Sequence, residues 1–537
     1  MPVSEQTAAQ ILEGIPARVR GPGGAIAVLK DGALIGQRVW GYADLTRRIP
    51  MTADTLLPIC SISKQMLCAL LYDLEHNPPA KAGGSADVRA QLSAKLAELL
   101  PPELTRNGTG LTIDHLSNNQ SGIRDYWALS VLWGAQPEGR FSIAEHGGPM
   151  RERLRSFHFP PGTEYSYANT NFHILGRVAE QVTGQPLDAL LRDRVFAPAG
   201  MRTARLCADT AGLPPPCVGY EGDEARGYVP AENRIEWAGD AGIVASLGDM
   251  VAYEQYLDRL AREPGSWYAA ALTPPAYSDG TPATYGQGLG HGKIENVKIV
   301  GHSGALRGFR LYRVQAPEER LSVVVLLNHE GSSGAPADEI IRGLLGLKRA
   351  ETSPVEPDPA WIGTFLDKET QLAITVARGV KGKVVISYSG SPEPVTLTNP
   401  KRGESPGMIA EIAGDQLKIR RLKENRTLEA SRLTLGGAVD YASFDGAYRC
   451  AEIDSVFHCD NQGGLLFGSF DGFLGKGPAH IMRYIGQDIW ALVCPRGMDA
   501  PAPGDWTVVF HRDGSGSVTG ATVGCWLARK LEFTKSS

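Results

Sequence analysis

Long apolar runs are missing from this chain. No stretch reaches the roughly 18 consecutive apolar residues that a membrane-spanning helix needs, so no membrane partner is expected. A charge excess of either sign is missing too: 54 basic and 59 acidic residues leave a net charge of -5, which argues against a nucleic-acid partner. Cysteine is sparse and unpatterned. Eight are scattered between Cys60 and Cys525 with no C-x-x-C pair, so reduced thiols are expected rather than a disulfide frame. The opening residues Met1-Pro2-Val3-Ser4-Glu5-Gln6 carry neither a basic segment nor an apolar core, so a secretory signal is not expected and a cytoplasmic location is. No metal or cofactor is expected.

Turn formers are plentiful, with 63 Gly and 36 Pro in 537 residues, and the length calls for more than one domain. The apolar pattern predicts a helix near Ala8–Val19, then a hairpin of Ala25–Lys30 and Ala33–Val39 around Asp31-Gly32. Further helices are expected at Gln65–Leu74, Val88–Leu100, Arg151–Phe157, His173–Val182, Leu247–Leu260 and Ala337–Leu345. Strands are expected at Tyr285–Gly290, Phe309–Val314 and Leu321–Leu327. Strands at both ends with helices between them predict an α+β domain over residues 1–350, its antiparallel sheet closed by the two ends. A Pro-rich linker at 351–359 follows. Beyond it, short alternating runs such as Leu372–Val376 and Lys383–Ser387 predict two small antiparallel β-barrels, 360–437 and 441–537. A faint repeat, Trp361-x-Gly363-x-Phe365 and Phe444-x-Gly446-x-Tyr448, supports two similar units.

The chemistry-bearing stretch is Cys60-Ser61-Ile62-Ser63-Lys64-Gln65. Three residues apart on a helix, Ser61 and Lys64 share a face. The amine then stands beside the hydroxyl at a helix end that favours an anion, which is one way to activate a weak nucleophile. A chain this long holds roughly one or two S-x-x-K tetrads by chance, so the pair alone says little. Two further motifs follow in the same domain, Tyr167-x-Asn169 and His302-x-Gly304, each at the edge of an expected element.

In this order the three motifs resemble those of the penicillin-recognising serine hydrolases. Within them, Gly239-Asp240-Ala241-Gly242, Gly304-Ala305-Leu306-Arg307-Gly308, Gly472-Phe473-Leu474-Gly475-Lys476 and Thr522–Arg529 resemble the bacterial D-stereospecific aminopeptidases, over nearly the whole chain. The resemblance implies a β-lactamase-like domain followed by two eight-stranded barrels, in a homodimer. It implies release of N-terminal D-residues, D-Ala and Gly above all, from peptides, amides and esters with a free amine. Ser61 would be acylated, Lys64 and Tyr167 would carry the proton with Lys64 lowering the Tyr167 pKa, and Asn169 would orient Lys64. The backbone N–H groups of Ser61 and Ala305 would form an oxyanion hole.

His302 stands where many relatives place Lys. A less charged residue there suits a substrate read at its amine rather than its carboxylate. Asp240 is the candidate partner of that amine, with Arg307 and Gly304 bordering the site. The resemblance also implies that the loop from Gly472 to His480, with Lys476, reaches the active site. Here the chain departs from the pattern, because no acid lies between Asp471 and Asp488. The alternatives are an amidase or esterase of D-amino acids, a D,D-carboxypeptidase or β-lactamase on the same scaffold, and a silent binding protein.

Overall fold

A computed structural model describes residues 3–79, 87–105, 108, 110–349, 354–436, 439–494, 496–498, 500–501 and 504–536. Its first part is an eight-stranded antiparallel sheet. From one edge, the strands are Ile49–Pro50, Ala33–Asp44, Gly23–Lys30, Leu321–Leu327, Phe309–Ala316, Val297–Leu306, Leu289–Ile294 and Tyr285–Gly286. Gly24 pairs with Leu327 and Lys30 with Leu321, so the ends of this part meet at mid-sheet and the helices lie between them in sequence.

The two central strands are buried on both faces, which explains their unbroken apolar runs. Ala25, Ala27 and Leu29 join the large core with the helices Ser63–His76, Asn169–Thr183 and Leu247–Leu260. Ile26 and Val28 face the other core, closed by the helices Glu5–Glu13 and Gly334–Leu345. The expected hairpin is present: Asp31 (φ 56) and Gly32 (φ 78) are both left-handed, as a two-residue turn matched to strand twist requires. The helix Leu247–Leu260 has the expected bounds, set by a capping box between Ser246 and Asp249.

Three element expectations are corrected. The N-terminal helix is two helices, Glu5–Glu13 and Ile15–Arg18, broken at Gly14. The expected helix Arg151–Phe157 lies instead at Ile143–Glu152. Gly147-Gly148-Pro149 hide it from a propensity reading, and the Glu236 carboxylate accepts the Ile143 N–H at its start. The expected strand Tyr285–Gly290 is two strands joined by a turn at Gln287-Gly288.

A buried ion pair braces the sheet against the helices. Arg313, on Phe309–Ala316, donates to both Glu254 carboxylate oxygens at 2.6 Å, and both side chains are 0% exposed. Its other donors reach Tyr268 Oη and, on the helix that opens beside Ser61, Gln65 Oε1. Removing one partner strands the other charge away from water. Glu254→Ala is therefore expected to cost about 3–5 kcal/mol in denaturant unfolding.

Of the linker, 351–353 lie outside the described residues. The first barrel closes through eight strands between Gly363 and Arg432 around an apolar core that includes Trp361 and Phe365. The second closes as Ser455–Gln462 pairs with both Gly446–Cys450 and Leu465–Gly472. The short repeat marks one device used twice. Asp358 and Asp440 each cap a 3-10 turn that buries Trp361 or Phe444 at the entry to its barrel.

Both barrels dock on the first part through buried arginines. Glu164, three residues before Tyr167, pairs with Arg426 of the first barrel at 2.9 Å and Arg529 of the second at 2.8 Å. Arg124 donates to the Arg529 carbonyl and to Glu452. Among the described residues no disulfide forms, and seven of the eight cysteines are buried. Among the described residues, no helix is long and apolar enough to cross a membrane.

Candidate active site

Ser61 sits in a 3-10 turn, Cys60–Ile62, that runs straight into the helix Ser63–His76. Cys60 adopts a left-handed φ of 52, a conformation that costs a non-glycine residue about 1 kcal/mol. The strand Val297–Leu306 passes close against this turn. A β-carbon at Gly304 would run into the Ile59 carbonyl oxygen and lie 3.1 Å from Cys60 Cβ. Glycine is thus what lets the strand bring Ala305 to the serine. Gly304→Ala is expected to lower stability by about 1–3 kcal/mol. It should also lower kcat on amides roughly tenfold or more by displacing the Ala305 N–H; thermal melts and steady-state kinetics read the two effects.

Lys64 is fully buried beneath Ser61. Its Nζ lies 3.1 Å from Ser61 Oγ, 2.7 Å from Asn169 Oδ1 and 2.6 Å from the Asp240 carbonyl oxygen. Burial pulls its pKa down to about 8, with the Asp240 and Asp125 carboxylates opposing. A neutral amine in this position donates to Asn169 and Asp240 and still holds a lone pair for the Ser61 proton. Below the inflection the ammonium has no lone pair. Once the titration of the substrate's own α-amine is corrected for, the kcat/KM profile is therefore expected to rise with pH through about 8.

Tyr167 Oη donates to Ser61 Oγ at 2.8 Å. The expectation that Lys64 lowers the Tyr167 pKa is corrected. Burial holds the phenol well above its ordinary value, so it stands protonated and is suited to give a proton rather than take one. Asn169 opens its helix with its N–H on Asp125 Oδ1 at 2.7 Å. Burial pushes the Asp125 carboxyl up to about 7.

His302 is 8% exposed and lies within the strand, so it is not a solvent-facing turn residue. Its Nδ1–H donates to the Ser303 carbonyl at 2.5 Å, which leaves Nε2 to accept from Tyr285 Oη at 3.0 Å. Burial, aided by Lys64, pulls its pKa down to about 3, so the ring is neutral.

A cavity of about 660 Å³ opens over Ser61. Tyr167, Asn169, His302 and Ala305 line it, and the indoles Trp127 and Trp237 form one wall. The first barrel contributes Pro406, Gly407 and Lys423, and the second contributes Trp526.

Four expectations about substrate contacts are corrected. Asp240 is 0% exposed; its carboxylate accepts from Tyr126 Oη at 2.8 Å and from the Ala238 N–H at 3.0 Å, which leaves it supporting Lys64 and not facing the cavity. Arg307 is taken up by Glu221 at 2.6 Å and Glu138 at 3.1 Å, away from the cavity lining. Gly304 serves packing beneath Ser61 and does not line the cavity. Gly472, Lys476 and His480 do not line it either. That loop turns back after Phe473-Leu474, pairs Gly472 with Gly475, and docks on Trp133 through the Leu474 N–H at 3.0 Å.

Sequence reasoning missed Asp125, Tyr126 and Tyr285, which act through other side chains and leave no local spacing signal. Asn119 satisfies backbone groups, accepting from the Ala168 N–H at 3.2 Å.

A helix-borne serine and lysine, a tyrosine from a second segment and an inner strand against them define a serine hydrolase of the penicillin-recognising class. Residues 8–347 match the family described as Beta-lactamase, and residues 354–534 match D-aminopeptidase, domain B. The D-aminopeptidase of Brucella melitensis biotype 2 is 41% identical over 524 residues, 98% of this chain and 98% of its own length. That of Brucella anthropi is 42% identical over 521 residues, 97% of this chain and 96% of its own. The chain belongs to the D-aminopeptidase family. The fold alone is shared with the octameric penicillin-binding protein homologue from Pyrococcus abyssi, at a TM-score of 0.53 and 20% identity over 79% of this chain and 99% of that one.

Proposed function

We propose that this serine hydrolase removes small N-terminal D-residues, D-Ala first and also Gly, from peptides, amides and esters through an acyl-enzyme on Ser61. The observation that carries this reading is the hydrogen-bonded set of Lys64 Nζ, Ser61 Oγ and Tyr167 Oη opening onto the cavity. Lys64 takes the Ser61 proton as Oγ attacks the scissile carbonyl. The N–H groups of Ser61 and Ala305 hold the oxyanion. Tyr167 gives its proton to the leaving nitrogen and regains one from Lys64, so the proton taken from Ser61 ends on the leaving amine. Water then repeats the attack on the ester. Asn169 orients Lys64, with Asp125 and Asp240 as its buried support. The neutral His302 keeps Tyr285 in place beside Tyr167.

D-selectivity and the need for a free amine are carried over from the D-aminopeptidases to which the chain is similar. With Asp240 buried, the faces of Trp127, Trp237 and Trp526 are the cavity surfaces suited to an ammonium. The test is a matched set of D-Ala p-nitroanilide, its L enantiomer and the N-acetylated D compound. Turnover of the first alone supports the reading. Comparable rates on both enantiomers would overturn the stereochemical assignment, and equal turnover of the acetylated compound the amine requirement. The homodimer belongs to the same proposal, and light scattering should give about twice the chain mass of 57.6 kDa.

A further inference from the structure

The charge lining the cavity is one-sided. Among the described residues that line it there is no Asp or Glu, whereas Lys293, Lys423 and two histidines are present. Lys423 belongs to the turn between the first-barrel strands Gln416–Arg421 and Arg426–Arg432, and this turn is clamped onto the catalytic part. The Lys423 carbonyl accepts from Tyr277 Oη at 2.7 Å, and the Glu424 carbonyl accepts from the Tyr165 N–H at 3.3 Å. Asn425 Nδ2 donates to the Thr163 carbonyl at 3.2 Å, and Arg426 pairs with Glu164. A turn held at four points presents one long cationic side chain in a defined place.

That place is linked to Tyr167 through a run of aromatic rings. Lys423 Nζ stands 4.7 Å from the Tyr165 ring centroid. Tyr165 lies 5.4 Å from Tyr285, and Tyr285 lies 5.6 Å from His302. His302 is 6.1 Å from Tyr167, whose hydroxyl is the group suited to protonate the leaving nitrogen. The two acids whose charges act on Lys423, Glu424 and Glu393, are already engaged, standing 2.6 and 3.6 Å from Arg421. No ion pair of Lys423 Nζ exists among the described residues. Beside Tyr285, Thr284 Oγ1 and His291 Nε2 are buried without hydrogen-bond partners, and both residues line the cavity. Their backbones are joined by the His291 N–H on the Thr284 carbonyl at 2.8 Å. A cation, a spare hydroxyl and a spare imidazole nitrogen in the lining of a cavity without lining acids match an anion.

We propose that Lys423, with Thr284 and His291 of the same cavity lining, binds the free α-carboxylate of the leaving residue, so that the preferred substrates are short peptides, D-aminoacyl amino acids above all, rather than capped amides. This rests on the cleavage proposed above. It places substrate-length selection in the first barrel's turn and not in the loop after Asp471. A leaving residue extended by further residues moves its carboxylate past the ammonium and loses the contact.

The test compares D-Ala-Gly with D-Ala-glycinamide, which differ only in the terminal carboxylate. Wild-type enzyme should favour D-Ala-Gly in kcat/KM by about tenfold, the scale of one charge-assisted hydrogen bond. Lys423→Met should bring the ratio close to one, mainly by raising KM for D-Ala-Gly. Lys423→Glu should invert it, and Lys423→Arg should restore most of it. A wild-type ratio of one, or a ratio that survives Lys423→Met, overturns the carboxylate subsite while leaving the aminopeptidase reading intact, provided D-Ala p-nitroanilide is turned over. Failure of the wild type on every D-aminoacyl compound overturns both.

Discussion

Ser61→Ala is expected to lower kcat/KM on D-Ala p-nitroanilide by about 10⁴-fold or more, and to abolish the covalent mass increase produced by a serine-acylating β-lactam. The size of the effect follows from the lack of a substitute. Ser303 also lines the cavity, but no lysine or tyrosine hydrogen bond prepares its hydroxyl as Lys64 and Tyr167 prepare Ser61. Cys60 is adjacent, yet it is buried, its thiol is pushed up by that burial, and its Sγ is directed at the Pro58 carbonyl. Removing one oxygen leaves the oxyanion donors and the cavity in place, so weak binding should persist without turnover. Acylation that survives Ser61→Ala would place the nucleophile elsewhere.

Lys64→Met is expected to cost about 10³- to 10⁴-fold in kcat, the upper range for a positioned general base. It should also remove the rising limb of the pH profile near 8. The second readout separates a chemical role from a structural one, because a merely misplaced Ser61 would lower the rate and keep the limb. Methionine suits the buried, apolar stem, while Asn169 Oδ1 and the Asp240 carbonyl each lose a donor. Lys64→Arg should not rescue the rate. A guanidinium stays protonated at any working pH and has no lone pair to offer Ser61. An unchanged pH limb in Lys64→Met would assign the titration to another group.

Local chemistry was legible in the sequence, and long-range placement was not. The i, i+3 spacing of Ser61 and Lys64 is a helix property, and the structure keeps it. The Asp31-Gly32 turn, the Ser246 cap and the alternation within the barrels are likewise set by neighbours in the chain. Asp240 shows the limit. Its residue type suits an amine site, but only the fold reveals that Tyr126 and Ala238 already occupy its oxygens. Arg307 is the same case with Glu221. The loop after Asp471 resembles one that reaches an active site, yet here it folds back as a short hairpin and docks on Trp133. Lys423 carries no motif at all. It matters because Tyr277, Thr163 and Glu164, all far away in sequence, hold its turn over the cavity.

The cavity wall that includes Trp526 has a consequence for the order of events in the cell. Ser61, Lys64 and Tyr167 leave the ribosome hundreds of residues before Trp526 does. Until the second barrel has closed and Arg529 has met Glu164, the cavity over the nucleophile lacks the Trp526 part of its wall. The complete cavity wall is therefore the last part of the site this hydrolase acquires. A chain clipped between its first part and its barrels would be less discriminating rather than simply dead.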